Sequence, residues 1–147
     1  MKVTRLRASD ALGEAEELLI RFFEEEGFET MRSIIAANLR TMAGLESCAI
    51  LVASDDGVST GVATVSLDFG IEFGWSGEMG DLYVVPEWRG RGVARALVEA
   101  AEAVLKEKGC AGYQVTVTPH AAEQGLAAFY EALGFGSEGR AIYFKAL

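Results

Sequence analysis

Apolar positions along the chain follow two spacings, and the spacing decides which element each block predicts. Lys2–Arg7 alternates, with Val3, Arg5 and Arg7 set against Thr4 and Leu6, which predicts a first strand. Leu12, Ala15, Leu18, Leu19, Phe22 and Phe23 then recur at helical spacing until Gly27. Ser9 and Asp10 stand before this run as capping residues with Glu14 just inside, so the helix is expected to start there. A second helix is expected over Thr30–Met42, with Gly44 beyond its end. Ser47–Ala53 and Val58–Phe69 are rich in Val, Ile, Leu and Thr, and Asp55-Asp56-Gly57 between them predicts a hairpin. Gly70–Gly77 reads as a loop and Glu78–Val85 as a strand stopped by Pro86. Gly92–Lys108 is expected to form a long helix, with Ala94, Leu97, Val98, Ala101, Val104 and Leu105 on its apolar face. A strand over Tyr113–Thr118, a helix over Glu123–Leu133 closed by Gly134, and a final alternating strand over Arg140–Ala146 complete the chain. The fold class that follows is mixed α/β, a sheet antiparallel early and parallel where the long helix crosses over.

Composition narrows this picture without changing it. The chain has 147 residues, half of them hydrophobic, with no linker, repeat or low-complexity stretch, so a single domain over residues 1–147 is expected. No apolar run is long enough to span a bilayer and the N-terminus lacks a secretory layout, so the expectation is no membrane and a cytoplasmic location. Thirteen basic against 22 acidic residues give a net charge of −9, which disfavours nucleic acid as a partner and suits a cationic small molecule. Cys48 and Cys110 have no CxxC or His neighbours and read as small buried hydrophobes. With His120 as the single histidine, no metal site is expected.

The chemistry concentrates at Asp81-Leu82-Tyr83-Val84-Val85-Pro86-Glu87-Trp88-Arg89-Gly90-Arg91-Gly92-Val93-Ala94-Arg95, a strand, a glycine turn and a helix start. Such a turn presents unpaired backbone N–H groups and the positive end of the helix dipole, which suits phosphate. Gly90 and Gly92 let the backbone approach a ligand, and Arg89, Arg91 and Arg95 add positive charge in an otherwise acidic chain. The Walker pattern is absent, and the dinucleotide fingerprint needs Gly or Ala where Arg95 stands and opens its fold rather than following four strands.

The spacing Arg89-x-x-Gly92-x-Ala94 resembles the pyrophosphate-binding motif of the GNAT acyltransferase superfamily. The likeness extends back into Leu82-Tyr83-Val84-Val85-Pro86 and forward into Phe129-Tyr130-Glu131-Ala132-Leu133-Gly134-Phe135. It implies a GNAT-like acyl-CoA N-acyltransferase fold, with antiparallel N-terminal strands, a splayed parallel pair and helices on both faces. It also implies that acetyl-CoA is the co-substrate, its pyrophosphate on the amides of Arg89, Gly90, Arg91, Gly92, Val93 and Ala94 with Arg95 close by. Pantetheine would lie along Leu82, Tyr83 and Val84, with the Leu82 N–H donating to the acetyl carbonyl.

A primary amine is neutral in only about one molecule in 2,500 at pH 7, and removing its proton costs ~4.6 kcal/mol, so a base or water chain is useful. By the resemblance Glu78 stands at a general-base position and Asp81 at an acidic position beside the acceptor amine. Strand alternation sends the two to opposite faces unless a bulge intervenes. Tyr130 matches the tyrosine that protonates departing CoA in relatives, and Phe129 is the better fit to core packing. Glu123 departs from the pattern, standing where many relatives carry a CoA-holding Asn. His120 is a second acid/base candidate, Trp75 and Trp88 read as packing, and Glu24-Glu25-Glu26 closes the first helix where relatives border the acceptor pocket.

The function these readings imply is transfer of an acetyl group from acetyl-CoA to a small cationic amine: an aminoglycoside, a polyamine or an amino-acid derivative. Direct attack in a ternary complex is the implied route. Acetylation of a protein lysine or N-terminus is the neighbouring reading, and a non-catalytic CoA sensor the distant one. Ile142, Tyr143 and Phe144 suggest an edge through which a homodimer would form.

Overall fold

Five strands, β1 (Lys2–Leu6), β2 (Cys48–Asp55), β3 (Val58–Gly70), β4 (Gly74–Val84) and β5 (Tyr113–Val115), pair in chain order in a computed structural model that describes residues 1–147. The first four run antiparallel; β4 and β5 are parallel, joined through helix α3 (Val93–Glu107). Helices α1 (Gly13–Glu26) and α2 (Arg32–Ala43) fill the long connection between β1 and β2.

The sheet register sorts the core into two layers. Ile50, Val52, Val62 and Tyr83 share one face and pack with Ala15, Leu18, Leu19 and Ile20 of α1 and with Ile35 and Leu39 of α2. The alternate positions face α3, whose Val93, Leu97, Val98, Ala101 and Leu105 are buried. Two strand glycines admit that helix. A Cβ on Gly61 would stand 2.8 Å from the Tyr83 carbonyl oxygen and 3.0 Å from Leu97 Cδ1, and one on Gly77 would overlap Leu105 Cδ2.

Chain contacts divide into Met1–Val115, which holds all of these elements, and Thr116–Leu147. The second unit contains helices α4 (Pro119–Glu123) and α5 (Leu126–Ala132). The Thr118 hydroxyl caps α4 by accepting from the Ala121 N–H at 3.1 Å.

Several boundaries differ from expectation for identifiable reasons. Asp10 is spent on a turn before α1, its Oδ2 accepting from the Arg7 N–H at 2.6 Å, so the helix begins at Gly13 with Leu12 at its N-cap and no side-chain cap. Glu14 accepts instead from the Ser59 hydroxyl across on β3. Most of the expected Gly70–Gly77 loop is strand, because β4 zips onto β3 as far as Gly70↔Gly74. The expected Glu123–Leu133 helix is two helices, broken at Gly125, whose φ of 82° is left-handed. The expected strand Arg140–Ala146 does not form, and β5 stops at Val115 rather than Thr118. Alternation selects a face, but a strand also needs a partner for its N–H and C=O groups; Ile142, Tyr143 and Phe144 have none in the sheet and are 65%, 93% and 91% exposed. Both cysteines are free and half-buried rather than buried.

Candidate active site

The geometry of the site starts on β4. Its ladder to β5 is short, Gly77↔Tyr113, Glu78↔Gln114 and Met79↔Val115, and then stops. From Gly80 onward β4 keeps its β3 partners, Thr64↔Asp81 through Gly61↔Val84, with no strand on the other side. The parallel pair therefore opens at Met79, leaving a strip of strand backbone over Leu82–Val84 without a ladder partner on that edge. Leu82 and Val84, opposite Ala63 and Gly61, turn their side chains to the α3 face, and Tyr83 turns to the α1–α2 face against Phe22, ring centroids 5.6 Å apart.

A bulge sits at the same place. Val65 pairs with Met79 and Thr64 with Asp81, so Gly80 is the extra residue. Because Ser66 and Thr64 share a face of β3, their partners Glu78 and Asp81 share a face of β4. Both carboxylates thus lie on the α1–α2 side of the sheet, the exception to simple alternation that a bulge allows. Glu78 Oε2 accepts from Gln114 Nε2 of β5 at 3.5 Å, and Asp81 Oδ2 accepts from the hydroxyl of Thr64, a buried residue. Burial pushes the Asp81 carboxyl above the ordinary carboxylate range; the Thr64 hydroxyl pulls it back down and the Glu78 charge adds to the rise.

After Val85 a 3-10 turn over Pro86–Trp88 leads into the glycine turn. Gly90 and Gly92 have φ of 72° and 84°, a region where a side chain is strained, and a Cβ on either would meet nothing within 4 Å. The first main-chain bond of α3 runs from the Ala96 N–H to the Gly92 carbonyl at 3.0 Å, and no side chain caps the helix. The amides of Val93, Ala94 and Arg95 therefore lie ahead of the ladder at the positive end of a 15-residue helix. Such a helix start favours anions in general.

The three arginines divide their work. Arg89 is committed to the protein: Nη2 bonds both Glu25 oxygens at 2.7 and 2.8 Å, Nε donates to the Val84 carbonyl at 2.9 Å, and the guanidinium lies 5.7 Å from the Tyr83 ring centroid. Arg91 stacks over Trp88, 5.0 Å from its centroid, and Arg95 is exposed with no ion pair. Trp88 packs against the α1–α2 core, as expected, whereas Trp75 is 45% exposed and meets Phe69 edge to face.

This arrangement has known counterparts. The acetyltransferase (GNAT) family matches residues 12–135. The chain belongs to that family. An aminoglycoside N(6')-acetyltransferase type 1 of Stenotrophomonas maltophilia is 31% identical over 110 residues, 72% of this chain and 71% of that protein. Among solved structures, aminoglycoside N-acetyltransferase AAC(6')-Iy in complex with CoA superimposes with a TM-score of 0.83 at 21% identity, covering 99% of this chain and 93% of that one. An aminoglycoside acetyltransferase from an uncultured soil metagenomic sample, in complex with sisomicin, gives 0.79 at 19% identity, covering 99% and 95%. At those identities the structural likeness is one of fold. Family membership makes the protein an acetyl-CoA-dependent N-acetyltransferase, with acetyl-CoA as the acetyl donor and an amine as acceptor.

The remaining residues of the GNAT pattern lie in Thr116–Leu147. Tyr130, on α5, is 6% exposed between Phe129 and Phe135, ring centroids 5.4 and 5.2 Å away, while Phe129 is the less buried of the pair. The expected division, Phe129 inward and Tyr130 outward, is thus reversed, because Phe135 folds back through its N–H to the Tyr130 carbonyl at 3.1 Å and covers the phenol ring. Burial pushes the Tyr130 phenol up to about 12. His120, in the first turn of α4, has a buried Nε2 with no hydrogen-bond partner, and Glu123 is exposed at the end of that helix. Sequence reasoning missed Thr64, and it read Glu25 as part of an acidic run without its pairing to Arg89. Thr64 lies in a strand full of Val and Ala and shows no motif; only its register opposite Asp81 reveals it.

Proposed function

We propose that this GNAT domain, spanning residues 1–147, acetylates a primary amine on a small polycationic acceptor of the aminoglycoside class, by direct attack on bound acetyl-CoA. The observation that carries the acceptor reading is the bulge at Gly80, which gives two carboxylates, Glu78 and Asp81, one common face of β4 beside the opening of the parallel pair. A cationic amine is attracted there, and a carboxyl pair with Asp81 raised is better matched to taking an ammonium proton than two free carboxylates. Support for the class also comes from the relative from Stenotrophomonas maltophilia and from AAC(6')-Iy solved with a bisubstrate analogue, CoA-S-monomethyl-acetylneamine.

In this reading acetyl-CoA sits with its pyrophosphate on the amides of Arg89–Ala94, Arg91 and Arg95 adding charge and Arg89 holding the turn to α1. Pantetheine follows the unpaired backbone of Leu82–Val84. Glu78 and Asp81 receive the acceptor's proton, directly or through water. Tyr130 is the residue we assign to the departing sulfur. A phenol near 12 is a weaker acid than a thiol near 8.5, so its part is a hydrogen bond that strengthens as thiolate charge develops, with the proton reaching sulfur from solvent or the acceptor. A second copy of the chain is the natural cover for Tyr143 and Phe144, and sedimentation velocity tests that reading.

The deciding experiment measures thiol release from acetyl-CoA across a panel of aminoglycosides, polyamines, amino-acid derivatives and peptides, with calorimetry on Gly92→Val. Turnover confined to aminoglycosides and loss of CoA binding in the folded variant are expected. Turnover on peptides alone rejects the acceptor class, and unchanged CoA affinity in Gly92→Val rejects the turn as the cofactor site.

A further inference from the structure

Thr64 is one of two fully buried polar residues in the protein, 3% exposed in the middle of a strand of Val and Ala. A buried hydroxyl needs a partner, and this one has a carboxylate: Thr64 Oγ1 donates to Asp81 Oδ2. The bond exists only because Gly80 is an extra residue. Without the bulge, the register would carry Asp81 to the α3 face and leave the hydroxyl with no acceptor. The space is tight as well, since a Cβ on Gly80 would stand 3.4 Å from Thr64 Oγ1.

We propose that Thr64 is the positioning residue for Asp81: its hydroxyl fixes Oδ2, aims Oδ1 at the acceptor amine and keeps the carboxyl available as a base. The inference rests on the reading of Glu78 and Asp81 as the acceptor-side carboxylates. Two physical arguments support it. A charge-assisted hydrogen bond is short and directional, so it selects one side-chain orientation where a free carboxylate would sample several. It also favours the ionised form against two opposing influences on the same face, burial and the negative charge of Glu78. Glu78 is the charged group acting on Asp81, and the neighbours from β3 and β5, Thr64, Ser66 and Gln114, are neutral.

The test replaces Thr64 with Val, which keeps the branched shape and removes the hydroxyl, and with Ser, which keeps the hydroxyl. Asp81 is titrated directly by carbon-13 NMR of carboxyl-labelled protein, and kcat/KM is followed against pH with the amine that the panel identifies. In Thr64→Val the Asp81 titration should move up by about one to two pH units, the size expected for losing a hydrogen bond to a charged group. The acidic limb of kcat/KM should move with it, and Thr64→Ser should restore both. An Asp81 titration unchanged in a folded Thr64→Val protein overturns the proposal. A titration that moves while the rate profile stays in place also overturns it, since Asp81 would then not be the base whose ionisation governs turnover. If the parent protein turns over no amine, the proposed function fails, but the NMR titration still decides whether Thr64 governs Asp81. Should Thr64→Val fail to fold, Thr64→Ala read by the same titration takes its place.

Discussion

Met1–Val115 and Thr116–Leu147 carry the proposed chemistry in different ways. The first unit owns all but two of the fully buried apolar side chains, the exceptions being Ala121 and Tyr130. Its functional features are made by the backbone: a ladder that stops at Met79, a bulge at Gly80 and an uncapped helix start at Val93. The second unit offers helices of five and seven residues, too short to hold themselves. Its contribution is a single side chain, the Tyr130 phenol, gripped by two aromatic neighbours. Geometry that depends on backbone pairing is secured by the whole sheet, whereas geometry that depends on one side chain is only as good as its immediate packing.

The sharpest way to break this contrast is Tyr130→Phe. If the second unit takes part in the chemistry, kcat should fall by about 10²–10³-fold with CoA affinity nearly unchanged, as loss of one hydrogen-bond donor to developing charge typically costs. Full kcat would confine the chemistry to the first unit. The same variant has a pH signature in stability. A phenol whose folded pKa lies above its ordinary value contributes stability that is fully present below about pH 10 and lost as pH rises towards 12. Parent protein should therefore lose stability across that window in urea titrations, and Tyr130→Phe should lose less.

A smaller effect is expected at Gly61, where the first unit depends on close approach. Gly61→Ala should cost about 1–3 kcal/mol by overpacking, because the nearest atom, the Tyr83 carbonyl oxygen, is backbone and cannot move aside. Thermal unfolding would show it, and a Tm within 1 °C or so of the parent would mean that β3 and β4 do not approach so closely at Gly61. Asp81→Asn should act in the opposite direction. Since burial and Glu78 disfavour the charged carboxyl, removing the charge should raise Tm at neutral pH by roughly 2–4 °C, what about 1 kcal/mol is worth in a chain of this length, while turnover drops. The raised carboxyl favours the fold in acid and loses that contribution as pH rises through its folded value, so the Tm gain should fade at low pH. The smallest effect belongs to the tail: Phe144→Ser, at a residue 91% exposed, should change stability by less than about 0.5 kcal/mol.

Legibility in the sequence follows the same line. Ser47–Ala53, Val58–Phe69, the long helix after Gly92 and the helix up to Gly27 were readable because each is announced by its own residues. The glycine turn was readable too, since Gly90, Gly92 and the three arginines are contiguous. What stayed hidden depends on partners distant in the chain. Arg89 reads as a phosphate ligand until Glu25, 64 residues away, takes its guanidinium. Asp81 and Glu78 read as opposite-facing until β3 supplies the register that defines the bulge. Arg140–Ala146 reads as a strand because alternation is local, and fails because pairing is not. Asp10 reads as a cap because it is the right residue type, yet its carboxylate closes a turn onto Arg7.

The notches at Gly61 and Gly77 fix more than packing density. One receives α3 near Val93 and Leu97, the other near Leu105, twelve residues further on and about 18 Å along the axis. A rod seated at two points can neither slide nor tilt, so its end is held in register with β4. A bulky residue at Gly77 would lift the far end of the helix and swing the near end, the one whose amides we propose as the cofactor's seat. Affinity for CoA would in this sense gauge alignment, and a bulky side chain at Gly77, some 18 Å along the axis from the helix start, is expected to register on it.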